Sequence, residues 1–144
     1  MKLGLLHKWL VYCSIAFLFA TGVLHELSSA ALFPKFQEAS ATYEWEHLLL
    51  SAHGVGAMIF LLVFGSLFPV HIKKSWHAGR NLVSGSVLLL CNAVLIITAA
   101  ILYYGSVDGV RPIAELVHFW GGVLLPFLIA GHLVLGRRQK KPLT

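Results

Sequence analysis

The sequence predicts an all-α integral membrane protein, an up-and-down bundle of four transmembrane helices. Of its 144 residues, 58% are hydrophobic and only 12% are charged, which is the composition of a membrane protein rather than of a soluble core. Four apolar runs lie at about residues 7–30, 45–70, 82–104 and 115–136, and a transmembrane helix needs about 20 residues. The lysines and arginines fall almost entirely between alternate runs. Residues 1–144 are therefore predicted to form a single membrane domain.

The first run resembles a signal peptide, because a short basic segment, Met1 to Lys8, precedes apolar residues up to Leu24. The apolar stretch is long for a signal sequence, and the small residues from Ser28 to Ala31 follow His25 and Glu26. We therefore predict a retained transmembrane helix, with cleavage as the alternative.

The other runs are separated by segments rich in turn residues and charges. Pro34 marks the first connection, residues 71–80 form the second, and Gly105 to Pro112 the third. Within each run a helix satisfies every backbone hydrogen-bonding group internally, as a lipid environment requires. Short connections place consecutive helices antiparallel, which gives the up-and-down bundle.

The charges predict an orientation. Nine of the 11 lysines and arginines fall on the side that holds both termini, and all six acidic residues fall on the other side with Lys35 and Arg111. Cytoplasmic loops carry an excess of lysine and arginine, so both termini are predicted to be cytoplasmic. The net charge of +5 therefore reflects topology, and a nucleic-acid partner is not predicted. The nine positive residues are Lys2, Lys8, Lys73, Lys74, Arg80, Arg137, Arg138, Lys140 and Lys141.

Eight histidines are many for so small a membrane protein, and four are predicted on each side. His118 and His132 are 14 residues apart in the fourth run. On an α-helix this spacing gives about 21 Å of rise and leaves the rings about 40° apart. Ionisable groups in hydrocarbon are costly and usually functional. A haem held by two imidazoles needs two histidines at one depth on facing helices, so the pattern predicts haem bound between helices at two depths.

His53, near the start of the second run, is the predicted outer partner of His118. Glycines follow both residues, and they permit close approach of a macrocycle or simply close helix packing. His47 lies six residues from His53, about 240° around the helix, so the two cannot face one cofactor. We prefer His53 and interpret His47 as part of an interfacial belt. The glycines are Gly54, Gly56, Gly121 and Gly122.

The inner partner of His132 is either His7 or His71. His71 lies 18 residues after His53, about 27 Å of rise, which is about 6 Å deeper than the 21 Å between the two histidine depths. His7 comes from a separate helix and has no such fixed offset. We prefer His7 and keep His71 as the alternative.

Several motifs resemble those of four-helix di-haem b-type cytochromes, a family that includes the gamma subunits of membrane-bound formate dehydrogenases and the cytochrome b subunits of nickel-iron hydrogenases. The similar elements are HKW at residues 7–9, Thr21-Gly22 later in the same helix, His53, and the paired His118 and His132. The resemblance implies two haem b groups, with His53 and His118 as iron ligands outside and His7 and His132 inside. The chain departs from the family in its short length, in extra histidines at positions 25, 71 and 77, and in lacking an arginine shortly before the first-helix histidine.

The resemblance further implies a subunit of a hetero-oligomeric oxidoreductase complex in the cytoplasmic membrane of a prokaryote. Such a subunit carries electrons across the membrane between the quinone pool and an outer redox subunit or c-type cytochrome. In the segment 71–80, a quinone and proton site is predicted, with a positive-inside anchor loop as the alternative; its residues are His71, Trp76 and His77. Contacts to haem propionates are predicted for Lys8, Arg80 and Arg137.

Three other functions remain open from the sequence. A superoxide-oxidase-like single-chain cytochrome b is disfavoured, because the acidic outer side would repel an anionic substrate. A haem-free transporter, with histidines and glutamates lining a proton or metal-ion path, accounts for the number of histidines but not for the shared face of His118 and His132. A third alternative, a structural membrane anchor for a soluble complex, does not explain the spacing of the histidines.

Overall fold

The computed structural model describes residues 4–29, 40–105 and 109–138, and this part of the chain is helical apart from short turns. Four helices are long and apolar enough to span a membrane, which confirms the all-helical prediction and indicates a multi-pass membrane protein. They are α1 (Leu5–Ser29), α2 (Ser40–Leu67), α4 (Leu82–Tyr104) and α5 (Val110–Arg138), with a short α3 (Lys73–His77) after α2. Outside the described residues lie the Pro34 turn and Lys2, Lys35, Glu38, Asp108, Lys140 and Lys141.

The second connection is more helical than the sequence predicts. A π-helical turn, Phe68–Ile72, follows α2 and leads directly into α3, so helical conformation continues to His77. Pro69 lies in this turn and has no N–H to donate, and a widened turn accommodates the missing hydrogen bond. The reversal of the chain is confined to residues 78–81, where Gly79 and Asn81 have positive φ angles of 61° and 51°. The predicted loop at 71–80 is thus mostly helix.

The chain divides into two compact units, residues 1–70 and 71–144. In the first unit α1 and α2 pack as an antiparallel hairpin, since His7 near the start of α1 contacts Ser66 near the end of α2. Gly56 allows the close approach: a Cβ there would lie 2.6 Å from Cε1 of Phe17.

In the second unit α4 and α5 form an antiparallel hairpin of the same kind. Gly121 faces Leu95, and a Cβ at Gly121 would lie 3.2 Å from its Cδ2 atom. The Cys91 thiol donates to the carbonyl of Gly121 at 3.8 Å. Gly56 and Gly121 therefore serve helix packing within their hairpins, whereas a Cβ at Gly122 would meet no described atom within 4 Å.

The most buried side chains include polar ones. Thr21 and Thr98 are 7% exposed and Asn92 is 5% exposed, in helices made mostly of apolar residues. Large apolar side chains such as Leu62 and Val83 are instead exposed. Apolar side chains on the outside and polar side chains where the helices meet are expected for a protein that is surrounded by lipid.

Candidate functional site

The two buried threonines each hydrogen-bond to a predicted haem ligand on the neighbouring helix. In the first hairpin the hydroxyl of Thr21 lies 3.0 Å from Nδ1 of His53. In the second, the hydroxyl of Thr98 lies 2.9 Å from Nδ1 of His118. Both contacts lie toward the connection that joins the two helices of the hairpin. We call them the loop-end pairs.

A second contact of the same kind lies toward the other end of each hairpin. The hydroxyl of Ser84 is 2.9 Å from Nδ1 of His132, and that of Ser66 is 3.2 Å from Nε2 of His7. We call these the open-end pairs. Each hairpin therefore carries two histidine–hydroxyl pairs, with threonine at the loop end and serine at the open end. Along α5 the two histidines are 14 residues apart, about 21 Å of helix rise.

The direction of the loop-end hydrogen bonds follows from the helix backbone. The Thr21 hydroxyl donates to the carbonyl of Phe17 at 2.8 Å, and the Thr98 hydroxyl donates to that of Val94 at the same distance. A hydroxyl has one proton and a carbonyl can only accept, so the threonine oxygens accept from the rings. His53 and His118 therefore carry their proton on Nδ1 and their lone pair on Nε2 in the neutral form.

A glycine next to a hydroxyl makes room for the ring in the first loop-end pair but is not needed in the second hairpin. A Cβ at Gly22, next to Thr21, would lie 3.2 Å from Cε1 of His53. A Cβ at Gly85, next to Ser84, would lie 3.9 Å from Cε1 of His132, an ordinary contact. The Thr21-Gly22 motif thus has a local structural role: the threonine holds the His53 ring, and the glycine lets it lie against α1.

The ring of His7 is oriented differently from the other three. It contacts Ser66 through Nε2, and the Ser66 hydroxyl donates to the carbonyl of Val63 at 2.7 Å, so Nε2 of His7 is the donor. The lone pair of His7 is then on Nδ1. In this rotamer His7 does not offer the same nitrogen as His53 and His118.

The alternative inner ligand, His71, contacts His132 directly. Their ring centroids are 6.3 Å apart and their planes are nearly perpendicular, at 86°. His71 is placed there by the π-helical turn that follows α2. The second unit thus brings His71 to His132, and His7 meets Ser66 within the first unit. Both remain candidates for the inner site.

The other predicted site residues lie near the surface. Trp76 is 56% exposed, and His77 is also exposed, with its Nδ1–H donating to the carbonyl of Lys73 at 2.8 Å. Arg80 and Arg137 are exposed and Lys8 is half-buried.

Two further histidines differ from the four paired ones. His47 is exposed, and its Nδ1 lies 3.5 Å from the hydroxyl of Ser51 on the same helix. His25 is half-buried, and within the described part of the chain its Nδ1 has no hydrogen-bond partner. His53 is thus held by a neighbouring helix and His47 is not, which favours His53 as the ligand from α2.

Sequence reasoning did not identify the hydroxyl partners. Thr21 was named only as part of the Thr21-Gly22 motif, and Ser66, Ser84 and Thr98 were not predicted to contact histidines. A signal for them exists: Ser84 and Thr98 are 14 residues apart, the same spacing as the histidines they contact. Two antiparallel helices with equal spacings bring both ends into register.

The donor groups that the paired histidines offer are imidazole nitrogens. Among residues 4–29, 40–105 and 109–138, no cluster of three or more His, Cys, Asp or Glu side chains could hold a metal ion. Axial ligation of haem iron needs only two imidazoles. His53, His118 and His132 each contact a hydroxyl through Nδ1.

Comparison with known proteins finds no family model, no curated protein and no solved structure that matches this chain.

Proposed function

We propose that the chain is a di-haem b-type cytochrome that carries electrons across the cytoplasmic membrane of a prokaryote. One observation supports this more than any other: each of the four histidines preferred from the sequence has a ring that hydrogen-bonds to a hydroxyl on the adjacent helix of its hairpin. Histidines that bind metal commonly donate their second ring nitrogen to such a partner, which sets the tautomer and the ring orientation.

Within each hairpin the pairs lie at two separate levels. Both hairpins have a threonine pair at the loop end and a serine pair at the open end. A proton path needs a continuous series of polar groups, whereas two separated levels match two cofactors. Haem b supplies one-electron transfer when it is bound. We assign His53 and His118 to the outer haem, and His132 with His7 or His71 to the inner haem.

Charged and aromatic residues near the open ends extend the proposal. Lys8, which is half-buried, and the exposed Arg80 and Arg137 would pair with haem propionates on the cytoplasmic side. Exposed Trp76 and His77 on α3, with His71, would bind a quinone and deliver protons to it, because histidine titrates near neutral pH. An outer redox subunit or c-type cytochrome would complete the electron path. The chain would then act within an oxidoreductase complex.

The deciding experiment is haem analysis of the purified full-length protein. We expect a b-type reduced-minus-oxidised spectrum and close to two haems per chain by the pyridine haemochrome assay. His118→Ala should remove the outer haem and His132→Ala the inner one, while His47→Ala, the matched control on α2, should keep both. Colourless protein with metal-dependent transport activity would refute the proposal.

The same assay identifies the inner ligand. If His7 is the ligand, its ring must turn from Ser66, and His7→Ala should lose the inner haem while His71→Ala keeps it. The reverse outcome would assign His71, whose ring already contacts His132.

A further inference from the structure

We propose that Thr21 and Thr98 are positioning residues for the outer haem, holding His53 and His118 in the tautomer that presents Nε2 to the iron. The inference rests on the proposed function and names residues that the ligand assignment does not include. It starts from the near identity of the two loop-end pairs, which occur on different helices of separate hairpins.

The two threonines have the same bonding pattern. Each donates to the carbonyl four residues earlier at 2.8 Å and lies near the carbonyl three residues earlier, at 3.2 Å for Thr21 and 3.1 Å for Thr98. Each accepts from a ring Nδ1 at 3.0 or 2.9 Å. Each is also 7% exposed. A hydroxyl whose proton is committed to the backbone acts on the ring only as an acceptor.

An acceptor on Nδ1–H has two consequences for the ligand. It keeps the proton on Nδ1, so Nε2 carries the lone pair that binds iron, and it fixes the plane of the ring. It also makes the imidazole more basic, which strengthens its bond to ferric iron more than to ferrous iron. Loss of the acceptor should therefore raise the midpoint potential of the outer haem. Ser84 at the open end is a weaker case, because its hydroxyl lies 3.3 Å from the carbonyl of Asn81 and its proton is less firmly committed.

The test uses the full-length protein with Thr21→Val, Thr98→Val and the double variant. Valine keeps the shape of threonine and removes the hydroxyl. Thr21→Ser and Thr98→Ser restore the acceptor. Ser14→Ala is the matched control: Ser14 donates to the carbonyls of Leu10 and Val11 on α1, and no histidine is hydrogen-bonded to it in the described part of the chain.

We expect each valine variant to weaken binding of the outer haem about tenfold, which is the lower end of the effect typical for loss of a hydrogen-bond partner of a metal ligand. The outer midpoint potential should rise, by about 59 mV for each tenfold preferential loss of ferric binding. The ferric low-spin EPR signal of the outer haem should shift, while the inner haem keeps its potential. The serine variants and Ser14→Ala should resemble the wild type. Unchanged potential and EPR signal in both valine variants, or serine variants that fail to restore them, would overturn the inference.

A measurement without haem separates this inference from the proposed function. In haem-depleted protein, nitrogen NMR should show the Nδ1–H tautomer of His53 and His118 in the wild type and a shift toward Nε2–H in the valine variants. A wild-type protein that never binds haem would refute the proposed function, and the positioning role toward iron with it. Unchanged tautomers in the valine variants would refute the role of the threonines alone.

Discussion

Gly22 offers a direct test of the packing at the first loop-end pair. A Cβ at this position would lie 3.2 Å from Cε1 and 3.5 Å from Nδ1 of His53, so the ring must retreat by a few tenths of an ångström. The same ring is held by Thr21 at 3.0 Å. Retreat stretches this hydrogen bond to about 3.4 Å, where it contributes little. Gly22→Ala should therefore weaken the contact between α1 and α2.

The magnitude follows from two opposing terms. Loss of the hydrogen bond costs about 1 kcal/mol. Replacing glycine by alanine within a helix gains up to about 1 kcal/mol. Gly85→Ala is the matched control, because its Cβ would lie 3.9 Å from Cε1 of His132, an ordinary contact. It receives the same helix gain without the cost, so Gly22→Ala should be about 1 kcal/mol less stable than Gly85→Ala.

The assay is an SDS titration of each purified variant in mixed micelles, followed by circular dichroism. A difference of about 1 kcal/mol corresponds to a roughly fivefold change in the folded-to-unfolded ratio. Both alanine variants gain the same helix propensity, so the difference between them reports only the cost of the contact with His53. A comparison of Gly22→Ala with the wild type would mix the two effects. Equal stability of the two variants, or a more stable Gly22→Ala, would show that the His53 ring does not rest against Gly22.

Three other predictions follow from single features. Asn92→Leu should raise stability by about 1 kcal/mol in the same titration, because within the described chain the buried Oδ1 of Asn92 has no hydrogen-bond partner. A less stable variant would show that this oxygen does have a partner. Gly56→Ala should destabilise the first hairpin by about 1 kcal/mol relative to Gly65→Ala. A Cβ at Gly56 would lie 2.6 Å from Phe17, whereas a Cβ at Gly65 would meet no described atom within 4 Å. Equal stability of the two variants would mean that the Phe17 ring moves aside. A green fluorescent protein fused to the C-terminus should fluoresce and alkaline phosphatase fused there should be inactive, because the basic residues cluster on that side; the reverse pattern would contradict the predicted topology.

The helices were predictable because hydrophobicity and length alone determine which segments can cross a bilayer. The four predicted runs agree with α1, α2, α4 and α5 to within a few residues at most ends. The exception is the segment after Pro69, where proline and charges predicted a loop and the structure has a π-helical turn and α3. Proline removes one hydrogen bond, but a widened turn bypasses it, and composition does not reveal which outcome applies.

The shared helix face of His118 and His132 was predictable from their spacing, because a helix has a fixed rise and rotation per residue. Which nitrogen each ring engages was not readable, since it depends on the partner across the helix interface. His7 shows this most clearly: its sequence context matches that of a ligand, yet its Nε2 contacts Ser66. The threonines were missed because an isolated hydroxyl in an apolar helix usually bonds only to its own backbone.

The use of threonine at the loop ends and serine at the open ends has a consequence for side-chain entropy. Threonine is branched at Cβ, so its hydroxyl is confined to few rotamers, and Thr21 and Thr98 hold their rings with little freedom to lose. Serine has no second Cβ substituent, so Ser66 and Ser84 have more rotamers available, although rotation of Ser66 would break its hydrogen bond to the carbonyl of Val63. The loop-end rings are therefore pre-set, whereas those at the open ends can reorient. At His7, whose Nε2 rather than Nδ1 contacts the hydroxyl, the partner is one of these serines.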